Sequence, residues 1–440
     1  MWLKSLHVEN FRGFEKLDVT FDEHVTLLVG GNGAGKTGVL EAIKVAFGSF
    51  FSAIAQSPDQ GIDRTHARRV FRPAGESGTP GTLEPQWPVV VGASVGGTQH
   101  PIQGSILDDL SWERSRGGEE QYTARRGDAG IREYGSALQQ EVQRGVHLKL
   151  PLIAYYGTKR LWRQKKLTKR RRGLGTRFDG YQDCLDIASS HTLLDEWMYH
   201  KTYAELQRRT VDAGYRDPQL AAVANAVAAC IDGVSEFRYD VNLAELCVQR
   251  GGRLETFAML SDGYRNMIAM VADIAERAAV LNSWLEGNAA RETPGIVLVD
   301  EMELHLHPKW QRAVIPSLRR AFPRMQFIAT THSPQVLAAV KREQVRLFDS
   351  NRLLDAKLFV EGRASNELLT DVFDVPARPE ATERELDELF RMLDLENYDD
   401  AHAKFADLVR RLGPDDAAMV RARWILDTEG GVKSITPVAS

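Results

Sequence analysis

The 440-residue sequence predicts an α/β fold: a core sheet of buried strands, an antiparallel β-rich lobe, a helical lobe and a small C-terminal helical appendage. Three observations carry this. The apolar run VTLLV (25–29) enters a glycine-rich loop and then the helical stripe GVLEAIKVAF (38–47), a strand–loop–helix opening. Two later runs, GIVLVD (295–300) and QFIAT (326–330), lack the alternation of a half-solvated strand and read as strands buried on both faces. Near the end, Leu386, Leu389, Phe390 and Leu393 recur at helical spacing, and Phe405, Leu408, Val409 and Leu412 repeat it.

In chain order, LHVENFRGF (6–14) and KLDVTF (16–21) alternate apolar and polar residues and predict strands. From about 51 to 145 the chain is rich in Gly, Pro, Arg and Ser, with strand-like pieces at 87–95 and 107–115 and no periodic helix, so it reads as a β-rich antiparallel insert on the first lobe. LKLPLIAYYG (148–157) is a further buried strand. A basic loop and helical lobe follow over about 159–235, with helices at 193–209 and 218–231. Alternation returns at 237–250 and 253–260 before a long helix over 264–285. Residues 1–350 are therefore expected as one domain, 351–377 as a linker and 378–430 as an acidic helical region. Between 380 and 416 twelve residues are acidic and five basic.

A net charge of -4 and pI near 6.3 give no global attraction to nucleic acid or anionic membrane, so such contacts need a local patch. Cys184, Cys230 and Cys247 lie far apart, which argues against a disulfide framework or a thiolate metal site. The charged N-terminal stretch lacks the apolar core of a signal peptide, and no run approaches a membrane span. A cytoplasmic protein is expected.

Gly30-Gly31-Asn32-Gly33-Ala34-Gly35-Lys36-Thr37 matches G-x-x-x-x-G-K-[ST] between a strand and a helix. Gly30, Asn32, Gly33 and Gly35 let the backbone curl so that its N–H groups face phosphate oxygens, Lys36 neutralises the β/γ charge, and the Thr37 hydroxyl is a Mg²⁺ ligand. The strand at 296–299 runs into Asp300, a candidate Mg²⁺ holder, and Glu301, a candidate catalytic carboxylate that would polarise an attacking water. Leu260-Ser261-Asp262-Gly263-Tyr264-Arg265 precedes a long helix, where Ser261 and Gly263 could meet a γ-phosphate. Leu304-His305-Leu306-His307-Pro308 follows the acidic pair, and His332 closes the strand at 327–330 as a second candidate catalytic residue. His305 and His307 beside Glu303 leave metal binding as an alternative for that loop.

The order of these motifs resembles the ABC-type ATPase superfamily, with Walker A, a signature in which Asp and Tyr replace the Gly and Gln of LSGGQ, Walker B, D-loop and switch histidine. NFRGF (10–14) and the DExxLHLHP form resemble its RecF, OLD and SMC branch. The resemblance covers residues 1 to about 345 and implies an ABC-type ATPase head that takes ATP and Mg²⁺. It further implies a homodimer or higher homo-oligomer in which Ser261 of one copy closes the nucleotide held by another. Arg12 is similar to the arginine of the N-terminal strand motif, which contacts nucleotide or DNA, and the loop at 156–160 falls where a lid residue would.

Ten of the residues from 159 to 177 are Lys or Arg and none is acidic, with Trp162 interleaved. Lys165, Lys166, Lys169, Arg170, Arg171 and Arg172 form the centre of this run and are candidate contacts to a phosphodiester backbone. The tail has neither the strands of a Toprim nuclease nor the His and Asn cluster of an HNH nuclease, so the chain is expected not to cut nucleic acid itself. With SNELL (365–369), DVFDVPARP (371–379) and a tail opening ELDELFRMLD (385–394), it resembles the Septu-type antiphage ATPases, whose partner is an HNH nuclease (PtuB-like). That resemblance implies nucleotide-controlled assembly that regulates the nuclease. A RecF-like repair ATPase without a nuclease, and a nucleotide-sensing scaffold with little turnover, are the alternatives.

Overall fold

The structure is a computed structural model that describes residues 1–54, 61–73, 81–99, 106–107, 109–124, 127–158, 175–185, 191–355, 358–373, 375–376 and 378–428. It forms two compact units, Met1–Leu368 and Leu369–Ser440.

The core of the first unit is a six-stranded sheet in the order Leu152–Tyr156, Gly295–Val299, Met325–Thr331, Val25–Gly30, Val345–Asp349, Arg352–Leu354. The first five strands are parallel and the last closes an antiparallel hairpin. Every residue of Val25–Gly30, Gly295–Val299 and Met325–Thr331 is buried, as expected of parallel strands covered on both faces. Register decides the rest: Val299 pairs with Ala329, and Thr331 with Val29, so these three neighbouring strands end side by side. Adjacent strands lie about 4.8 Å apart, so the residues just beyond their carboxyl ends are gathered within roughly 10 Å.

A second, antiparallel sheet orders Phe14–Thr20, Trp2–Phe11, Val89–Gly96 and Leu110–Arg116. The side chain of Gln326 clasps it to the core sheet, accepting from Leu3 N at 2.8 Å and donating to Leu3 O at 2.9 Å and Asp22 O at 2.7 Å. A buried amide that satisfies both backbone groups of another strand replaces a ladder rung at no net loss of hydrogen bonds. The region 51–145 contributes two strands to this sheet, and it also contains a helix, Ala129–Gln143, that the sequence pattern does not predict. Its buried stripe, Ile131, Tyr134, Gly135 and Leu138, follows helical spacing, but two glycines and a run of polar residues dilute the signal.

The helical lobe comprises helices His191–Arg209, Pro218–Cys230 and Asp262–Leu281 with a three-stranded sheet, Val234–Asp240, Glu245–Arg250 and Arg253–Thr256. Asp217 caps the second helix by accepting from Gln219 N and Leu220 N, with Pro218 in its first turn. The segment 351–377, expected as a linker, instead carries strand Arg352–Leu354 and helix Ser365–Phe373, in which one fully buried residue, Leu368, is masked in sequence by polar neighbours.

The second unit is a helical bundle of Glu380–Asp394, Tyr398–Leu412 and Ala417–Thr428. Its core joins Leu386, Leu389 and Leu393 to Phe405 and Leu408, and to Met419, Ala422 and Leu426. Gly413, at φ 89° and ψ 153°, ends the second helix in an extended conformation that side chains avoid. Among the described residues no helix is long and apolar enough to cross a membrane.

A buried ion pair within the helix Asp262–Leu281 fastens it to the core through the hydrogen bonds both partners make to other elements. Arg277 Nε donates to Asp273 at 2.8 Å, and its Nη1 donates to the carbonyls of Gly180 and Gln182, while Tyr156 donates its hydroxyl to Asp273 at 2.6 Å. Asp273→Ala leaves that guanidinium buried without its counter-charge and is expected to cost about 3–5 kcal/mol in urea unfolding, more than Asp273→Leu combined with Arg277→Leu. Equal losses for the two variants would show the charge is not desolvated.

Candidate functional site

The loop 30–37 leaves the sheet at Gly30 and enters the helix Lys36–Ala53. Gly30, Gly33 and Gly35 have φ of 149°, 76° and 101°, the half of the map that side chains avoid. Gly30 is also closely covered, since a Cβ there would come within 2.1 Å of the Phe348 carbonyl oxygen. Behind the loop, Ser350 and Asn351 (φ 47° and 60°) make a two-residue turn between strands Val345–Asp349 and Arg352–Leu354. Asn351 N donates to Ala34 O at 3.3 Å, and its side chain fills the space in front of both Gly13 and Gly35.

The Lys36 ammonium is buried and donates to Gly30 O at 2.8 Å and Gly31 O at 2.7 Å. Burial lowers its pKa from the usual lysine value, while Asp300, Glu303 and Glu301 oppose the shift. Thr37 donates its hydroxyl to both oxygens of Asp300 at 3.2 Å.

Thr330, 1% exposed, joins the two acidic residues that follow strand Gly295–Val299. Its hydroxyl donates to Asp300 Oδ1 at 2.6 Å and accepts from Glu301 N at 2.7 Å. Glu301 is thereby held at φ 51°, a left-handed conformation that costs a non-glycine residue on the order of 1–2 kcal/mol. Two residues on, Glu303 accepts from the Thr331 hydroxyl at 2.7 Å and from His332 N at 2.6 Å, fixing the backbone beneath the imidazole. Burial and the Lys36 charge lower the His332 pKa, against the pull of Glu303, Glu301 and Asp300, so the ring is predominantly neutral at pH 7. Residues 32–38, Asp300, Glu301, Thr330 and His332 line one cavity of about 320 Å³.

A glycine cradle with backbone N–H groups, a lysine, and a hydroxyl beside a carboxylate suit a polyphosphate and a hard divalent cation. Residues 5–197 match an AAA-domain family, and residues 114–338, just over half of the chain, match the AAA-domain family described with the words AbiEii toxin, Type IV TA system. The chain belongs to this family. It is therefore an AAA-domain protein of the ATPase class, and it is similar to the protein named Retron Ec83 probable ATPase of Escherichia coli, 24% identical over 493 aligned positions covering 95% of this chain and 85% of that one. The Septu protein PtuA of Bacillus mycoides is 32% identical over 158 residues, 31% of this chain and 21% of the relative, so the resemblance read from the sequence is present in that portion. The SMC head domain from Thermotoga maritima superposes with a TM-score of 0.44 at 15% identity, covering 81% of this chain and all of that one.

Within the AAA domain, the expected residues Gly30, Asn32, Gly33, Gly35, Lys36, Thr37, Asp300, Glu301 and His332 surround or adjoin the cavity. Ser261 and Gly263 do not line it. Ser261 is exposed at the start of its helix and its hydroxyl makes no capping bond there, while Gly263 packs where a Cβ would meet His305 O at 2.4 Å. Arg12, at φ 54°, pairs with Glu41 on the loop helix at 2.7 Å rather than reaching the cavity. His307 Nδ1 accepts from Lys309 N and Glu303 is bound as above, so two of the three residues of the metal alternative have structural bonds. Lys165, Lys166, Lys169, Arg170, Arg171 and Arg172, and the end of the lid loop at 159–160, lie outside the described residues.

Sequence reasoning missed Thr330 and Asn351 and gave Glu303 only a metal role. Thr330 had one available signal, a hydroxyl residue ending an otherwise apolar buried strand.

His66 ties the antiparallel lobe to Arg12. Its carbonyl accepts Arg12 N at 2.6 Å, its ring stacks on Phe11, and its Nδ1 accepts from Asp63 N at 2.9 Å. Burial, with Arg12 adding, pushes its pKa down to about 4. The folded protein therefore binds this proton less readily than the unfolded chain, and stability falls as pH drops from about 6.5 toward 4. The Tm of His66→Gln is expected to fall less over that interval than the parent's; parallel curves would refute it.

Proposed function

We propose that the chain is the ATP-hydrolysing subunit of an antiphage defence complex, in which nucleotide-controlled assembly of two or more copies regulates a separate HNH nuclease partner. The observation that carries the catalytic part is the wiring of Asp300 and Glu301 to one hydroxyl, Thr330, in a cavity shared with Lys36 and with Thr37, which donates to Asp300.

Each residue then has its own part in the reaction. Lys36 exchanges the carbonyls of Gly30 and Gly31 for the β/γ-phosphate oxygens, and the N–H groups of the loop take the remaining charge. Thr37 and Asp300 hold Mg²⁺, which when bound supplies Lewis-acid neutralisation of the phosphate charge. Glu301 accepts a hydrogen bond from the attacking water and orients it, and neutral His332 donates to the γ-phosphate side. Ser261 contributes its uncapped hydroxyl to the site of a second copy. The defence role rests on similarity to proteins named Septu PtuA and Retron Ec83 probable ATPase. Buried, unpaired thiols at Cys184, Cys230 and Cys247 suit a reducing cytoplasm.

Glu301→Gln is expected to bind ATP as the parent does and to lose roughly 100-fold or more in kcat, about 3 kcal/mol of barrier, in a phosphate-release assay. If this variant also keeps full phage protection in cells, turnover is incidental and the scaffold reading takes over. DNA, if a partner, is held by the basic run. Replacing Arg170, Arg171 and Arg172 with Gln should reduce the slope of log affinity against log salt by about 0.9 for each phosphate no longer neutralised; an unaltered slope removes the run from the DNA-binding surface.

A further inference from the structure

The helix beginning at Asp262 is gripped at its first turn from two sides. The Tyr264 ring lies under the Arg250 guanidinium, 4.6 Å from ring centroid to Cζ, and meets the Trp310 indole edge-on, with centroids 4.4 Å apart and planes at 66°. Arg250 is itself held by both oxygens of Glu255 at 2.9 and 3.0 Å across the hairpin of strands Glu245–Arg250 and Arg253–Thr256. Trp310 stands in the first turn of helix Pro308–Ala321. Gly263 rests on the His305 carbonyl, and Asn266 donates to Leu304 O at 3.1 Å. The turn is therefore pinned to the three-stranded sheet on one side and to residues 304–310 on the other.

Ser261 is joined to this turn through its backbone, its carbonyl accepting from Arg265 N at 3.0 Å, while its side chain is left outside. It sits in extended backbone (φ −63°, ψ 154°) and its hydroxyl makes no capping bond to the helix it precedes. A serine that must present its hydroxyl outward depends on the placement of the residues just after it, and Tyr264 is gripped there by two side chains. The aromatic ring suits that role, because its face accepts the cation and its edge the indole, whereas a flexible amide offers neither surface.

We propose that Tyr264, clamped between Arg250 and Trp310, is a positioning residue that sets Ser261 against the nucleotide held by a second copy of the chain. This rests on the reading of Ser261 as acting in trans.

The test uses the full chain, ATP turnover across ATP concentrations, and binding of a fluorescent ATP analogue. Tyr264→Ala is expected to lose about tenfold in kcat with analogue affinity unchanged; Tyr264→Phe, which keeps the ring, should restore most of the rate. Arg250→Met, at a half-exposed strand end, gives a milder loss in the same parameter and covers the case in which Tyr264→Ala does not fold. Mixing Tyr264→Ala with Lys36→Ala protein should raise turnover above the sum of the two, because one site in the mixed dimer then joins an intact loop to an intact Ser261 turn. Absence of that gain, or an equal loss of analogue binding, overturns the proposal. Ser261→Ala serves as the reference: full turnover there sinks the trans reading itself, whereas lost turnover there with normal turnover in Tyr264→Ala sinks only the positioning role.

Discussion

One hydroxyl organises the candidate site of this chain. Thr330 lies at the end of a fully buried parallel strand, where it cannot turn to water, and its two bonds couple the Asp300 carboxylate to the backbone of Glu301. The left-handed backbone at Glu301 is unfavourable alone and persists because that bond over-determines it. Two carboxylates on consecutive residues would otherwise point apart from an extended strand; the left-handed turn after Val299 lets both line the cavity under the loop that leaves strand Val25–Gly30, two strands away.

The rest of the first unit keeps those strand ends in register. Gln326 joins the antiparallel sheet to strand Met325–Thr331, and Asn282 does a similar service elsewhere, exchanging hydrogen bonds with both backbone groups of Leu150 at 2.8 and 3.0 Å. Both amides are buried and engaged through oxygen and nitrogen alike, so each fixes a geometry instead of merely filling space. The Arg277–Asp273–Tyr156 network then ties the helix that follows Ser261 to the strand next to Gly295–Val299. The nucleotide loop, the acidic pair and the serine turn are thus borne by one continuous framework.

Much of this was legible in the sequence because the informative residues are neighbours in the chain. Lys36 follows its glycines directly, and Asp300 and Glu301 follow an unbroken apolar run, so local pattern alone locates them. Thr330, Glu303 and Asn351 were not legible in that way, since their roles arise only when strands far apart in sequence are laid edge to edge. Helix Ala129–Gln143 and helix Ser365–Phe373 were lost for a different reason: each buries few residues, and glycine or charge between them flattens the periodicity. Tyr264 stands out in the sequence as a departure from the LSGGQ pattern, but its partners Arg250 and Trp310 come from other elements and carry no signal of their own.

The turn at Ser350–Asn351 has a consequence for how such a chain can diverge. The Asn351 side chain occupies the volume that a side chain at Gly13 or at Gly35 would need, and its backbone N–H steadies Ala34. Positions 13 and 351 form a coupled pair: a side chain at 13 requires the amide at 351 to move or shrink, whereas Gly35 is held independently by its φ of 101° and by Phe14, 2.5 Å from where a Cβ would lie. Drift at 13 is therefore tied to change at 351, while position 35 is pinned by its own backbone whatever stands at 351.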